Sequence, residues 1–430
     1  MGKRVLSSLQ WFVFILAGTI VAPISVASAF GFSSDETAEL LQRTFFIVGL
    51  TSLLQGLFGH RLPLTEGPAG LWWGVFLAYA GMAHHGGGAS AHAVLQSLEL
   101  GLIASGLLFI ALSALNLIRY VEKGFTPAVT GTYLILLVIQ LSGPFVSGIL
   151  GADGGKVDAK TAGAALATLV LSVVLSQAGV RFLKNYSVLI SLVIGWLLFR
   201  ALGLGTEVPS GGGRTLSMPE WFAWGPPSFD AGIFVTSLLT ALLLMTNMIA
   251  SVEAVRRAVR SEKAVHWRRT SLIMGINQMA AGVFPTVGGV PISGSAGFIL
   301  TTRITERLPF LIGSAMTLAM SFFPPVTGWL SALPAPVGYA TLFVSMAGIL
   351  GLGLQTVKEE LHHEKKVTVI SLSIMIGSGV LLLPASALEA LPGVLQSILH
   401  NGLVVGVLAA IVLDLIFRRK ERRTETTSIN

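Results

Sequence analysis

Glu66 stands in the run Leu62-Pro63-Leu64-Thr65-Glu66-Gly67-Pro68-Ala69-Gly70, an acid among prolines and glycines at the head of an apolar stretch. A carboxyl group there could accept hydrogen bonds from a polar solute or take up a proton, and ionisable groups inside a membrane are costly enough that each is a functional candidate. A cytoplasmic vestibule or a helix N-cap is the other reading of the same residue. Glu99, about two turns into a second apolar stretch, is a further proton-coupling candidate, with an interfacial position as its alternative. Asn247 and Ser251 are four residues apart and share one helix face. An amide that both donates and accepts suits a heterocycle, and an interhelical hydrogen bond would use the same groups. Glu253 precedes Arg256 and Arg257 by one turn and is expected to pair with them, as Asp414 is with the cluster that begins at Arg418. His84, His85 and His92 flank a Gly-rich stretch, and His362 and His363 lie beside Glu359 and Glu360, so solvated surface is expected for all five. The chain has no Cys, and no spacing suggests a metal site, a catalytic triad or a phosphate loop with Lys. The expectation is a protein that is not an enzyme, holds no cofactor or metal, and is not driven by ATP.

Only 11% of the 430 residues are charged and mean hydropathy is +0.77, which excludes a water-soluble fold. Apolar stretches long enough to span a bilayer recur along the whole chain. They predict an all-α polytopic protein of about fourteen spans: 8–30, 43–59, 67–82, 92–118, 125–150, 161–179, 186–205, 231–256, 268–285, 294–304, 308–330, 334–356, 367–386 and 397–417. The first span is read as retained rather than cleaved, because its apolar run exceeds a signal-peptide core. With both termini in the cytoplasm, only Arg43, Lys156, Lys160, Arg200 and Arg214 fall outside, and every other Lys and Arg faces inward. That predicts an inner, plasma-membrane location. The clusters Arg256 to Arg269 and Arg418 to Arg423 are read as topology signals that contact lipid, with no nucleic-acid partner.

The third and tenth spans are short, and each follows a Pro- and Gly-rich segment. Pro63-Leu64-Thr65-Glu66-Gly67-Pro68-Ala69-Gly70 resembles Pro291-Ile292-Ser293-Gly294-Ser295-Ala296-Gly297 at an offset near 228 residues. The same offset places Thr19 on Asn247. Seven spans separate the copies, so they lie in opposite orientations. Backbone this rich in Pro and Gly cannot begin a regular helix in lipid, where unpaired groups are expensive. The expected solution is two short extended segments, Leu62–Thr65 and Val290–Ser293, each leading into a half-helix whose N-terminus points at a solute near the membrane midplane. Ordinary interfacial turns are the alternative.

These residues resemble the nucleobase-ascorbate transporter family, which includes bacterial uracil, xanthine and urate permeases. Gln10-Trp11, Thr19 and Pro23 are similar to the family's first-span pattern, and Glu66-Gly67-Pro68 to its third-span segment. Gly294-Ser295-Ala296-Gly297, then four residues, then Thr302-Arg303, resembles its tenth-span signature. The resemblance implies two inverted seven-span repeats. Residues 1–120 and 231–332 would form the halves of a core domain, 121–205 and 333–417 the halves of a gate domain, 206–230 an external linker and 418–430 a cytoplasmic tail. It implies import of a nucleobase, here a purine in preference to uracil, with a proton, by relative motion of core and gate, in a homodimer. Carried over by position, substrate contacts fall on Asn247, Gly294 and Gly70, joined by Glu66, Ser251, Ser295, Thr19 and Trp11. Asn247 stands where the family has an acid, Gly294 and Ser295 where it has Gln or Glu followed by Asn, and Trp11 where it has His. Those departures leave open an anion carrier of sulfate-permease-like architecture, and a transport-dead membrane sensor or scaffold.

Overall fold

The structure, a computed structural model, describes residues 2–84, 90–117, 126–152, 156–180, 183–184, 187–205, 215–384, 387, 391, 399 and 402–428. Its first half runs α1 (Gly2–Thr19), α2 (Val21–Phe30), α3 (Ser34–Leu57), β1 (Glu66–Pro68), α4 (Gly70–His84), α5 (Ala91–Ala114), α6 (Pro127–Leu150), α7 (Ala159–Ser176) and α8 (Ser187–Ala201). The second half runs α9 (Ala231–Ala258), α10 (Trp267–Val283), β2 (Gly289–Pro291), α11 (Gly294–Thr302), α12 (Arg307–Met320), α13 (Pro324–Ser331), α14 (Ala335–Lys358), α15 (Glu364–Leu381) and α16 (Gly402–Ser428). Taking α1 with α2, each strand with the helix after it, and α12 with α13, these make two inverted sets of seven membrane segments. Among the described residues, seven segments are long and apolar enough to cross a bilayer, six of them single helices and the seventh α1 and α2 taken together over Arg4–Phe30. The remaining segments are short, broken or interrupted by polar residues.

Local chemistry sets the breaks. Pro23 has no N–H for the carbonyl of Thr19, and the first span divides there into α1 and α2. Pro324 opens α13 after a 93° bend from α12, so the eleventh span, read as continuous over 308–330, is a bent pair. The second span begins nine residues before its expected start at 43, because Ser33 and Glu36 form a reciprocal capping box. Arg43, expected in an external loop, is therefore buried inside α3, where its Nε donates to Pro285 O at 2.9 Å. The part of the fourteenth span before Gly402 lies largely outside the described residues, as do His85 and Arg214.

Two packing groups emerge. In one, α5 packs on α9 and α10, α3 on α12 and α13, and α1 on α12. In the other, α6 packs on α14, α15 and α16, and α7 on α8 and α14. Small residues permit the closest approach in the first group: a Cβ on Gly106 of α5 would lie 2.5 Å from Gly275 O of α10. In α14, Gly353 meets Leu134 and Ile135 of α6, whereas Gly348 and Gly351 face open space. The second group holds a buried ion pair between Lys366 of α15 and Asp414 of α16, which also accepts from Thr126 Oγ1 at 3.1 Å. The pairing expected of Glu253 is present, at 2.8 Å to Arg256 and 3.1 Å to Arg257.

Candidate functional site

The two broken segments meet. β1 and β2 pair antiparallel with Glu66 opposite Pro291, Gly67 opposite Val290 and Pro68 opposite Gly289. Ala69 N–H to Gly288 O and Ile292 N–H to Thr65 O, both 2.9 Å, extend the ladder at either end. Pro68 and Pro291 offer no N–H and hold the residues before them extended, which suits a three-residue strand and not a helix. The first strand begins at Glu66, beyond the expected Leu62–Thr65. Pro68 and Pro291 each close their strand, so Pro68 is the repeat equivalent of Pro291, the place the sequence offset assigned to Pro63. Proline spacing alone cannot distinguish those registers, since both prolines precede the same small residues.

Each strand feeds a half-helix. At the start of α4, Trp73 N–H is satisfied by Ala69 O at 2.8 Å, and helix geometry leaves Gly70, Leu71 and Trp72 without an intrahelical acceptor. At the start of α11, Ser295 and Ala296 close tight turns onto Ile292 and Ser293. The α4 end thus carries the amides without an intrahelical acceptor, in a buried setting, whereas the start of α11 at Ser293 and Gly294 is exposed.

Glu66 is 1% exposed. Its backbone N–H donates to Ser52 Oγ of α3 at 2.9 Å, and its Oε2 accepts from Asn277 Nδ2 of α10 at 2.9 Å. Its Oε1 has no partner, and neither has Asn277 Oδ1. No Lys, Arg or His among the described residues pairs with this carboxyl. Next to it, Gln278 donates to Gly289 O of β2 and accepts from Trp72 Nε1 of α4 at 2.8 Å, so one side chain ties both arms of the crossing to α10.

The remaining candidates are distributed around this centre. Ser295 is buried, and its hydroxyl accepts from Thr65 N–H at 3.3 Å, binding the second half-helix to the first strand. Gly294 and Gly297 lie on an exposed face of α11, with Phe14 of α1 beside Gly294. Gly70 faces Leu137 of α6 in the second packing group. Asn247 is half-buried and accepts from Ser251 Oγ at 3.1 Å. Thr19 donates its hydroxyl to Ile15 O at 2.7 Å. Trp11 is fully buried among Phe14, Phe298 and Phe310, with centroids 4.6–5.7 Å away. Glu99 is buried away from the crossing, where Oε1 accepts from Trp224 N–H at 3.4 Å and Arg43 lies within electrostatic reach.

Asn277, Gln278 and Ser52 are not among the residues expected from the sequence, where Asn247 is the one amide singled out as a candidate. Two adjacent amides in the middle of an otherwise apolar span were the available signal.

Comparison with known proteins agrees with this architecture. The chain is 37% identical to YwdJ of Bacillus subtilis (strain 168), a provisionally named purine permease, over 98% of each chain. It is 24% identical to the xanthine permease of the same organism, over 97% of this chain and 94% of that one. The uric acid transporter UacT of Escherichia coli (strain K12) is 26% identical over 97% and 86%. Among solved structures, the transmembrane domain of the cyanobacterial bicarbonate transporter BicA superposes with a TM-score of 0.64 at 16% identity, covering 95% of this chain and 96% of that one. The murine anion transporter Slc26a9 gives 0.65 at 11%, over 98% and 69%. At such identities these two show the fold alone. The permease family Xan_ur_permease matches residues 2–386, and with it the broken spans, the strand crossing and the curated relatives agree: this chain is an integral membrane transporter that belongs to that permease family.

Proposed function

We propose that the protein imports a nucleobase, a purine in preference to uracil, together with a proton. The observation that carries the reading is Glu66, a buried acid without a cation partner, in the strand that leads into a half-helix N-terminus whose first amides lack an intrahelical acceptor, in a chain whose relatives are named for purine, xanthine and urate transport. The amides of Gly70, Leu71 and Trp72 suit the carbonyl oxygens of an oxopurine. Asn247, held by Ser251, adds the donor and acceptor that a purine edge requires. Gly294 leaves room for the ring beside Phe14. Trp11, Thr19 and Ser295 act one layer behind, by fixing the helices that carry these groups.

In this reading α1–α5 and α9–α13 form the core, residues 1–120 and 231–332. The gate is formed by α6–α8 and α14–α16, residues 121–205 and 333–417. Alternating access follows from movement of one packing group against the other across the α4–α6 contact. The protein sits in the inner membrane with both termini cytoplasmic, as the Arg256 to Arg269 loop suggests, and it works as a homodimer through the gate.

The test is uptake of radiolabelled uracil, xanthine, hypoxanthine, guanine, uric acid and sulfate into cells lacking their own carriers, with and without a protonophore. Saturable uptake of one purine, abolished by the protonophore and by Glu66→Gln, is the expected result. Sulfate uptake alone would replace the reading with an anion carrier. No flux of any solute by well-expressed protein would favour a sensor.

A further inference from the structure

The contact between Glu66 and Asn277 is half of a recognised hydrogen-bonding unit. A carboxylic acid and a primary amide can join edge to edge in a ring of two hydrogen bonds: the amide N–H donates to one carboxyl oxygen, and the other carboxyl oxygen donates its proton to the amide oxygen. The first of these bonds is present, from Asn277 Nδ2 to Glu66 Oε2 at 2.9 Å. The atoms that would make the second are Glu66 Oε1 and Asn277 Oδ1. Both are buried, and both lack a partner. With Glu66 ionised they are two acceptors and no donor, beside an uncompensated charge. One proton on Oε1 satisfies both at once.

Among the described residues no other donor reaches Glu66 Oε1 or Asn277 Oδ1. From α3, Ser52 Oγ is taken up by Glu66 N–H and lies 3.4 Å from Thr65 Oγ1, which itself donates to Glu66 O. From α10, Gln278 is turned to Gly289 and Trp72. From α11, Ser295 bonds Thr65 N–H. His60, on the connection from α3 to β1, uses Nδ1 to accept from Leu62 N–H. The charged groups of the packed elements are engaged elsewhere: Arg4 of α1 with Glu306, Arg43 of α3 with Glu39 and Pro285, Glu99 of α5 with Trp224. No charged side chain faces the pair among the described residues.

We propose that Glu66 and Asn277 are one proton-binding unit, an acid–amide ring closed by a proton on Glu66 Oε1. Asn277 is its positioning residue: it fixes which carboxyl oxygen carries the proton and holds the protonated acid against the strand crossing. The proposal deepens the proton-coupled reading of this site, naming where the proton resides, but the protonation itself requires no solute movement. Because β1 pairs with β2 and Gln278 ties β2 to the helix that carries Asn277, loss of the proton leaves both orphaned acceptors at the point where the half-helices join. Reopening the ring is thus coupled to the geometry of the crossing.

The unit can be read directly, without transport. Infrared difference spectra of purified, reconstituted protein, titrated with pH in the absence of solute and sodium, should contain the C=O stretch of a protonated, hydrogen-bonded carboxyl. The band should vanish in Glu66→Gln and shift to the position of a free acid in Asn277→Leu, with Asn277→Ser as the substitute if the leucine variant does not fold. Glu66→Gln also carries a structural expectation. An amide at position 66 donates to Asn277 Oδ1 and accepts from Nδ2, so it reproduces the closed ring and should keep or raise Tm. A band absent from the wild type throughout its folded pH range would overturn the proposal. So would a Glu66 band indifferent to Asn277, or one that sodium removes at constant pH, which would mark a metal-ion site instead. If the band behaves as expected and no nucleobase is taken up, the proton unit stands and the substrate assignment fails.

Discussion

Trp72 of α4 donates its indole N–H to Gln278 Oε1 of α10 at 2.8 Å, and the same glutamine returns its amide to Gly289 O in β2. One side chain thereby fixes the first half-helix and the second strand to a common helix. Gln278→Leu should remove both bonds and leave two buried polar groups unsatisfied, at about 1–3 kcal/mol each. The expected outcome is a lower Tm in detergent and a lower maximal uptake rate. An unchanged Tm for the leucine variant would mean that the crossing is held by its own ladder.

The first packing group depends on backbone contact. A Cβ on Gly106 would sit 2.5 Å from Gly275 O, and one on Gly275 would sit 2.7 Å from Gly106 O. Neither obstacle is a flexible side-chain end, so α5 and α10 must separate to admit Gly106→Ala. Overpacking of this kind costs about 1–3 kcal/mol. Gly351→Ala in α14 meets nothing, and should be neutral or favourable by up to about 1 kcal/mol through helix propensity. Parallel thermal melts of the two variants make the comparison, and equal Tm values would contradict it.

In the second packing group the charge of Lys366 is set against Asp414, whose side chain is 3% exposed and also accepts from Thr126. Lys366→Met should leave a buried carboxylate short of its cation, a loss of about 3–5 kcal/mol for a buried pair and less here because Lys366 is 20% exposed. The double change Lys366→Met with Asp414→Leu should recover much of that loss. Tm across the double-mutant cycle measures the coupling, and additive effects would show that the two charges do not depend on each other.

Much of this was legible in the chain for reasons that can be stated. Pro63, Pro68 and Pro291 beside glycines cannot begin a helix in lipid, so the two interruptions follow from composition. Which residues form the strands does not follow, because a three-residue ladder has no periodicity and neighbouring prolines look alike. Arg43 was misplaced because a charge normally marks the end of a span, yet the capping box at Ser33 draws the helix outward past it and a carbonyl from the turn after α10 receives the guanidinium. Asn277 and Gln278 are harder to recognise from residue type alone. They are uncharged, and their importance lies in partners more than two hundred residues away along the chain for Glu66 and Trp72.

Asn247 offers the sharpest separation of binding from stability. It is half-buried, and it accepts a hydrogen bond from Ser251 on its own helix, so its loss should cost the fold little. If it contacts the solute, Asn247→Ala removes a hydrogen bond worth about 0.5–1.5 kcal/mol, a rise in KM of about two- to tenfold with the maximal rate and Tm held. Ser251→Ala frees the amide to rotate, and should alter the ranking of competing purines more than the affinity for any one of them. Competition by unlabelled bases against the best labelled substrate reads both effects. A fall in Tm for Asn247→Ala with KM unchanged would assign this residue to helix packing, and recognition would then rest on the α4 amides and the exposed face of α11.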